Sequence, residues 1–496
     1  MNSKPQKLTF FEKTGYAFGD AASNLFWMTF IYFQVNFYTD VFFYTPDAAL
    51  ATSLMQKLAI LLLITRVFDM AFDLFMGVMG DRTRTRWGKF RPYLLWFAIP
   101  FGVISTLTFT TPSFSPTGKL IYACITLSLM MMVYSAINIP YSALMGVISS
   151  DSQERTSAAS YRFAFAFGAG LVVQYSTLYL VDRFGRVKPE MSGVLLAAAK
   201  AHGYQLTMGI YAIAAAALFF LTFALTKERV QHFHEKSTLS QDLKDLATNV
   251  PWLILFGIGT LTVCSVAIRS GAILYYFKYY VSDQSALSFH FHLGKYFFQY
   301  SVSGKELPGI FMVSGTLLSL LGTIAIQHVT RFAGRKATYI GLAVVGSIFL
   351  ALSYWVRPEQ IVLIFALQVL YSAATGPTSA VLWAMFADSA DYSEWRTGRR
   401  ATGLVFSAAG MSNKLGWSIG GPVIVWLLAI FGYQANVMQT PYALHGILLL
   451  FTVIPAAGFL LTGLGMIFYP LNEARMKKMQ GELQVRQAKG EAAASA

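Results

Sequence analysis

Residues 52–93 read TSLMQKLAILLLITRVFDMAFDLFMGVMGDRTRTRWGKFRPY. The first part is an apolar run long enough to cross a hydrocarbon layer about 30 Å thick, which takes roughly 20 residues of helix. It ends abruptly in Arg82, Arg84, Arg86, Lys89 and Arg91. A greasy helix closed by a short basic loop reads as a membrane span whose loop stays in the cytoplasm. The run nevertheless carries Lys57, Arg66, Asp69 and Asp73. A charge at the bilayer centre costs about 2.5–3.5 kcal/mol on insertion scales, so each of these is paired, hydrated or functional.

The rest of the chain repeats the pattern. Hydrophobic residues make up 55% and charged residues 12% of 496 residues, the composition of a protein that faces lipid. Apolar runs lie near 15–43, 52–79, 93–111, 119–148, 160–181 and 205–226, and again near 251–281, 308–329, 337–356, 360–387, 401–432 and 442–469. That predicts an all-α membrane protein with twelve transmembrane helices. Residues 227–250, KERVQHFHEKSTLSQDLKDLATNV, are the long polar connection between a six-helix bundle at 1–226 and a second at 251–470. Residues 471–496 form a tail.

Lys and Arg set the orientation. They crowd the connections after spans 2, 4, 6, 8 and 10, including Arg155, Lys227, Arg229, Lys236, Lys244, Arg331, Arg335, Lys336, Arg396, Arg399 and Arg400. The opposite connections hold only scattered ones such as Lys119, Arg183 and Arg357, although two of them are among the longer loops. Both termini are therefore expected in the cytoplasm, with the chain in the inner membrane as a monomer. The net charge of +14 comes from these loops and points to topology, not to a nucleic-acid partner. The N-terminus, MNSKPQKLTFFEKTG, has no short apolar core or small-residue cleavage site of a removable signal. Cys124 and Cys264 sit far apart in apolar runs and suggest neither a disulfide nor a metal framework.

The two halves echo each other. GDRTRTRWGKFRP after span 2 and TRFAGRKATY after span 8 both place a glycine before basic residues. Proline falls within span 4, in NIPYS, and within span 10, in TGPTS. Matching interruptions mark the central site of many transporters, and an ordinary tolerated membrane proline is the alternative.

The buried charges are the candidate machinery. Asp69 and Asp73 are four residues apart and share a helix face, with Arg66 a turn earlier. Two such carboxylates can hold a small cation or share a proton. An Arg66–Asp69 pair that merely pins helices is the alternative. Asp20 stands among small residues in GYAFGDAASN, where its carboxylate can accept from two sugar hydroxyls or pair with Lys414 or Arg162. Spans 7 and 10 add Arg269, Lys278, Asp388 and Asp391, the last two near a cytoplasmic end. Trp27, Tyr141, Trp383 and Trp417 offer faces on which sugars stack, or packing and interfacial anchors. Residues 288–309, with His290 and His292, read as an interfacial segment and complete no zinc set. No nucleophile–base pair or phosphate loop argues for an enzyme.

GYAFGDAASN with FYTDVF, RVFDMAFDLFMGVMGDRTRTRWGKFRPY, NIPYSAL and ADSADYSEW resemble the glycoside-pentoside-hexuronide cation symporters, over most of the chain. The resemblance implies the major facilitator fold, with two six-helix bundles rocking about a central site. It implies secondary active import of a glycoside, pentoside or hexuronide, with no cofactor. By motif it puts the coupling cation at Asp69 and Asp73, with Ser135 and Lys414 nearby, and the sugar at Asp20 and Arg162, with Trp27 as an aromatic partner. Asn138 and Ser142 stand where the family pattern has a second aspartate and a tryptophan, and Phe72 where it has an asparagine. Asn138 and Ser142, together with Trp383, complete the expected substrate site. Sodium wants several oxygen ligands, so the departures favour H+ over Na+ as coupling ion. They also leave open a lysolipid or amphiphile carrier of the same fold.

Overall fold

The structure, a computed structural model of the chain, describes residues 7–149, 152–229, 246–282, 287–293, 296–302, 304–397, 402–476, 478–479 and 481–483. Most of the connector between the halves (230–245, with Lys236 and Lys244), Arg399 and Arg400, and the tail from 484 lie outside the described residues, as do the side chains of Arg66, His290 and His292.

Helices dominate. They are α1 Phe10–Phe37, α2 Ala48–Arg82, α3 Arg91–Thr108, α4 Pro116–Ile148, α5 Ser152–Gly185 and α6 Gly193–Leu225, then α7 Val250–Tyr275, α8 Leu307–Ala333, α9 Arg335–Leu352, α10 Ile361–Thr397 and α11 Thr402–Ile430. The last span is split at Thr452 into α12 Pro441–Phe451 and α13 Val453–Ile467. Two helices end in wider π-helical turns: α1 in Tyr38–Phe42 and α7 in Tyr276–Ser282. One antiparallel hairpin is added to the helices, with β1 Leu287–Leu293 paired to β2 Tyr296–Val302 so that Leu287 faces Val302 and Leu293 faces Tyr296.

Ten stretches among the described residues are long and apolar enough to cross a membrane. Helices α1 and α3 bring the set to the expected twelve. The shortfall of α1 has a physical cause, since it carries Asp20, Ser23, Thr29, Gln34 and Asn36, all buried by protein. It runs along α5 and α6, which shield that polar content from lipid. Neither proline interrupts its span: α4 is helical through Pro140 and α10 through Pro377, which is the tolerated membrane proline of the two readings.

The chain forms two compact units. The first comprises Met1–His234, Ile273–Val313 and Gly421–Gly446, and the second Glu235–Ala272, Ser314–Gly420 and Ile447–Ala496. In the first, Glu228, just past α6, accepts from the backbone N–H groups of Lys89, Phe90 and Arg91 at 2.8, 2.7 and 2.9 Å. Gly88 makes room for it, with φ +111° and a position where a Cβ would lie 2.4 Å from the Glu228 carboxyl carbon. In return, Arg91 Nη2 donates to the carbonyl of Phe223 in the last turn of α6, at 2.5 Å.

The second unit repeats the exchange by itself. Glu473, past α13, accepts from the Arg335 N–H at 3.2 Å beside Gly334, whose φ is +76°. Lys336 Nζ donates to the carbonyls of Ile467 and Tyr469 at 2.8 and 2.7 Å. Helix starts have spare N–H groups and helix ends spare carbonyls, with matching dipole charge, so an acid at one and a base at the other satisfy both. Glu228→Ala should destabilise the detergent-solubilised protein by about 1–2 kcal/mol, and Glu228→Gln, which keeps an acceptor, by less. Equal thermal unfolding of both variants and the parent would refute the capping role.

Candidate functional site

The site residues of the first unit gather on α1, α2, α4 and α5. Helices α2 and α4 lie side by side, and Ser135 Oγ donates to Asp69 Oδ1 at 3.0 Å in a buried position. A turn further along α2, Asp73 is partly buried. Beneath them Met76, Tyr93 and Ala136 form a core cluster against Phe72, Phe97 and Ile139. Phe72, between the two acids, therefore serves that packing instead of offering an oxygen. Lys57, on the same helix, is exposed.

Asp20 on α1 and Arg162 on α5 form a forked ion pair, Nε to Oδ2 at 3.0 Å and Nη2 to Oδ1 at 3.3 Å. Of the alternatives for Asp20, the partner in this structure is Arg162. The guanidinium also lies over the ring of Tyr141, 5.0 Å from its centroid. Tyr141 stacks on Tyr16 at 4.8 Å, and its hydroxyl donates to the Tyr16 carbonyl at 2.7 Å. This approach of α4 to α1 needs Gly19, because a Cβ there would lie 2.4 Å from the Tyr141 ring. Arginine is suited to such a site, since its planar fork matches a carboxylate while its face stacks on an aromatic ring.

Trp27 is sandwiched. Its ring stacks on Phe30 with centroids 5.5 Å apart and on Tyr134 with centroids 5.1 Å apart. Asn138 accepts from Ser23 Oγ at 2.9 Å and donates to the Tyr134 carbonyl at 3.0 Å. Ser142, one turn further, is exposed. Tyr134 is the residue that sequence reasoning missed. Its ring stacks on Trp27 of α1, its carbonyl accepts from Asn138, and the next residue, Ser135, donates to Asp69. Its signal was present, because it precedes Ser135 and lies four residues before Asn138 on the same helical face.

The second unit holds the remaining expected residues. Lys414 on α11 is partly buried, and its carbonyl accepts from Ser418 Oγ at 2.7 Å. Trp383 on α10 is 37% exposed, with its ring 6.1 Å from that of Phe386. Arg269 is buried between the rings of Tyr371 and Phe451, at 4.3 and 4.6 Å, and donates to Gln368 at 2.7 Å. Asp388, which is buried in α10, pairs with Arg335.

The first unit thus holds two carboxylates one turn apart on α2, a forked ion pair between α1 and α5, and a stacked indole on α1. Residues 15–294 and 285–473 match the family described as MFS/sugar transport protein. The chain is 35% identical over 489 residues to "Putative glycoside/cation symporter YagG" of Escherichia coli (strain K12), covering 98% of this chain and 97% of that protein. It is 32% identical over 491 residues to the "Isoprimeverose transporter" of Lactiplantibacillus pentosus, covering 97% and 93%. Among solved structures it is similar in fold to that of a D-xylose-proton symporter, with TM-score 0.59 and 14% identity over 92% of this chain and 97% of that one.

Proposed function

This chain belongs to the MFS/sugar transport family, whose members are membrane transporters and not enzymes, and from that premise we propose that it imports a glycoside, pentoside or hexuronide together with a proton. In this reading the cation is taken up at Asp69 and Asp73, with Ser135 and Lys414 completing the coupling site. The sugar is held by Asp20, Arg162, Asn138 and Ser142, with Trp27 and Trp383 as stacking faces. Bundles 1–226 and 251–470 rock about that site, joined by the 227–250 connector and followed by the 471–496 tail. The protein works as a monomer in the inner membrane, with both termini and the basic loops in the cytoplasm.

The reading is supported by α4, on which Ser135 donates to Asp69 while the preceding residue, Tyr134, stacks on Trp27 of α1. Loading a cation on the α2 acids removes negative charge next to the ring that packs on Trp27, and the sugar groups are then met in a different field. Each ligand thereby raises the affinity for the other, and coupling is reciprocal. Proton over sodium is supported by Phe72, which lies between the two acids in sequence, packs against Met76, Tyr93 and Ala136, and offers a cation no oxygen.

The test is uptake of radiolabelled glycosides into vesicles at fixed pH, with and without sodium. Uptake should follow an imposed pH gradient and change less than about twofold on adding sodium, and it should be competed by glycosides and not by lysolipid. A large, saturable sodium stimulation would overturn the proton assignment. Competition by lysolipid alone would overturn the sugar.

A further inference from the structure

Far from the acids of α2, a second charged cluster lies in the first unit, and the mechanism above leaves it unused. Asp40, in the π-turn that ends α1, is 1% exposed. Lys278, in the π-turn that ends α7, donates to its Oδ2 at 2.6 Å. Tyr279 donates to the same oxygen at 3.1 Å, while Tyr433 and Thr39 donate to Oδ1 at 2.5 and 2.9 Å. The Tyr275 hydroxyl lies 2.6 Å from Thr39 Oγ1, close enough to donate to it in turn. Asn436, in the loop after α11, ties off the cluster. Its side chain donates to the Asp40 carbonyl at 2.8 Å and accepts from Lys278 at 2.6 Å. To do so Asn436 adopts φ +60°, a conformation that asparagine tolerates better than most residues.

Three features make this more than packing. The carboxylate is saturated with donors, the condition under which a dry ion pair survives. Separating the partners leaves two uncompensated charges unless water enters. Both charges sit in π-turns, irregularities common at functional sites. Finally, Asp40 comes from the first half of the sequence and Lys278, Tyr433 and Asn436 from the second, at the ends of helices α1, α7 and α11 opposite the basic loops.

We propose that Asp40 and Lys278 form the latch that closes the external entrance of the transporter, held while solute leaves to the cytoplasm and parted to admit the next molecule. The inference rests on the symport reading for what passes. The latch acts on access, so Asp40 and Lys278 are positioning residues that touch no substrate. Its partners gain water on opening and one another on closing, which yields two discrete states instead of a gradual yielding.

Ala435 is a built-in reporter. It lines a small crevice with Thr39, Thr45, Ala51 and Met55 and is only 9% exposed. The full-length chain carrying Ala435→Cys, with Cys124→Ser and Cys264→Ser, would be treated from the external face with a membrane-impermeant maleimide. Adding Asp40→Asn or Lys278→Met should speed labelling by about tenfold or more, and the exchanged pair Asp40→Lys/Lys278→Asp should slow it again. Accumulation of labelled glycoside should fall in the single variants and partly recover in the exchanged pair. Labelling as slow in both single variants as in the parent would overturn the latch. Should neither single variant reach the membrane, Tyr433→Phe, which removes one donor, should still raise labelling by about two- to threefold, and an unchanged rate would equally overturn it. A parent that accumulates no sugar while these labelling changes persist would refute the symport reading and leave the latch standing.

Discussion

Vesicles carrying Asp73→Asn are expected to equilibrate sugar but not to concentrate it. The ratio of internal to external sugar should fall to about one, while exchange of labelled for unlabelled sugar continues, because coupling needs a site whose charge changes on loading. Asp69 accepts from Ser135, and Asp73, one turn further on the same helix face, carries the second carboxylate of the proposed cation site. Two neighbouring carboxylates repel each other, and a bound cation relieves that repulsion. An amide at position 73 keeps the size and the packing near Phe72 but removes that drive. Accumulation at the parent's level would sink the cation assignment, whatever happened to exchange.

The second large effect concerns the Asp20–Arg162 pair. Arg162→Ala leaves the Asp20 carboxylate without its guanidinium. Because the side chains of Arg162 and Asp20 keep 24% and 12% exposure, the expected loss of stability is about 2–4 kcal/mol, at or below the range for fully buried pairs. Sugar binding should fall by roughly a hundredfold, equivalent to about 2.7 kcal/mol. The double variant Asp20→Asn/Arg162→Gln separates the two effects. It removes the uncompensated charge, so thermal stability in detergent should return to near the parent, but the charged hydroxyl acceptor is gone and binding should stay weak. If titration calorimetry showed binding restored along with stability, the pair would be scaffolding and the sugar would be held elsewhere.

Much of the architecture was readable from apolar runs and basic loops. The predicted span at 52–79 lies inside α2, and that at 308–329 inside α8. Boundaries erred where helices outrun the hydrocarbon. Helix α10 continues to Thr397 where the apolar run ends near 387, which places Asp388 and Asp391 within a helix. The hairpin was missed although SFHFHL alternates in the manner of a strand, because its aromatic content suggested an interfacial segment first. At the site, chemistry-bearing residues could be picked out singly by the cost of charge in oil, but their pairings could not. Asp40 and Lys278 are far apart in sequence, and nothing local joins them. Tyr134 escaped because the chain is full of rings, and only its neighbours distinguish it.

The reciprocal caps at Glu228 and Glu473 limit how far the chain can be trimmed. Each lies a few residues beyond the last helix of its half, in a stretch that looks dispensable by sequence, yet each fastens a helix begun more than a hundred residues earlier. Shortening the connector has its safe margin after Arg229, and a fusion partner or affinity handle belongs beyond Glu473. Cutting closer would unbuckle a helix pair at the end that carries the basic loops and be mistaken for damage to the transport site.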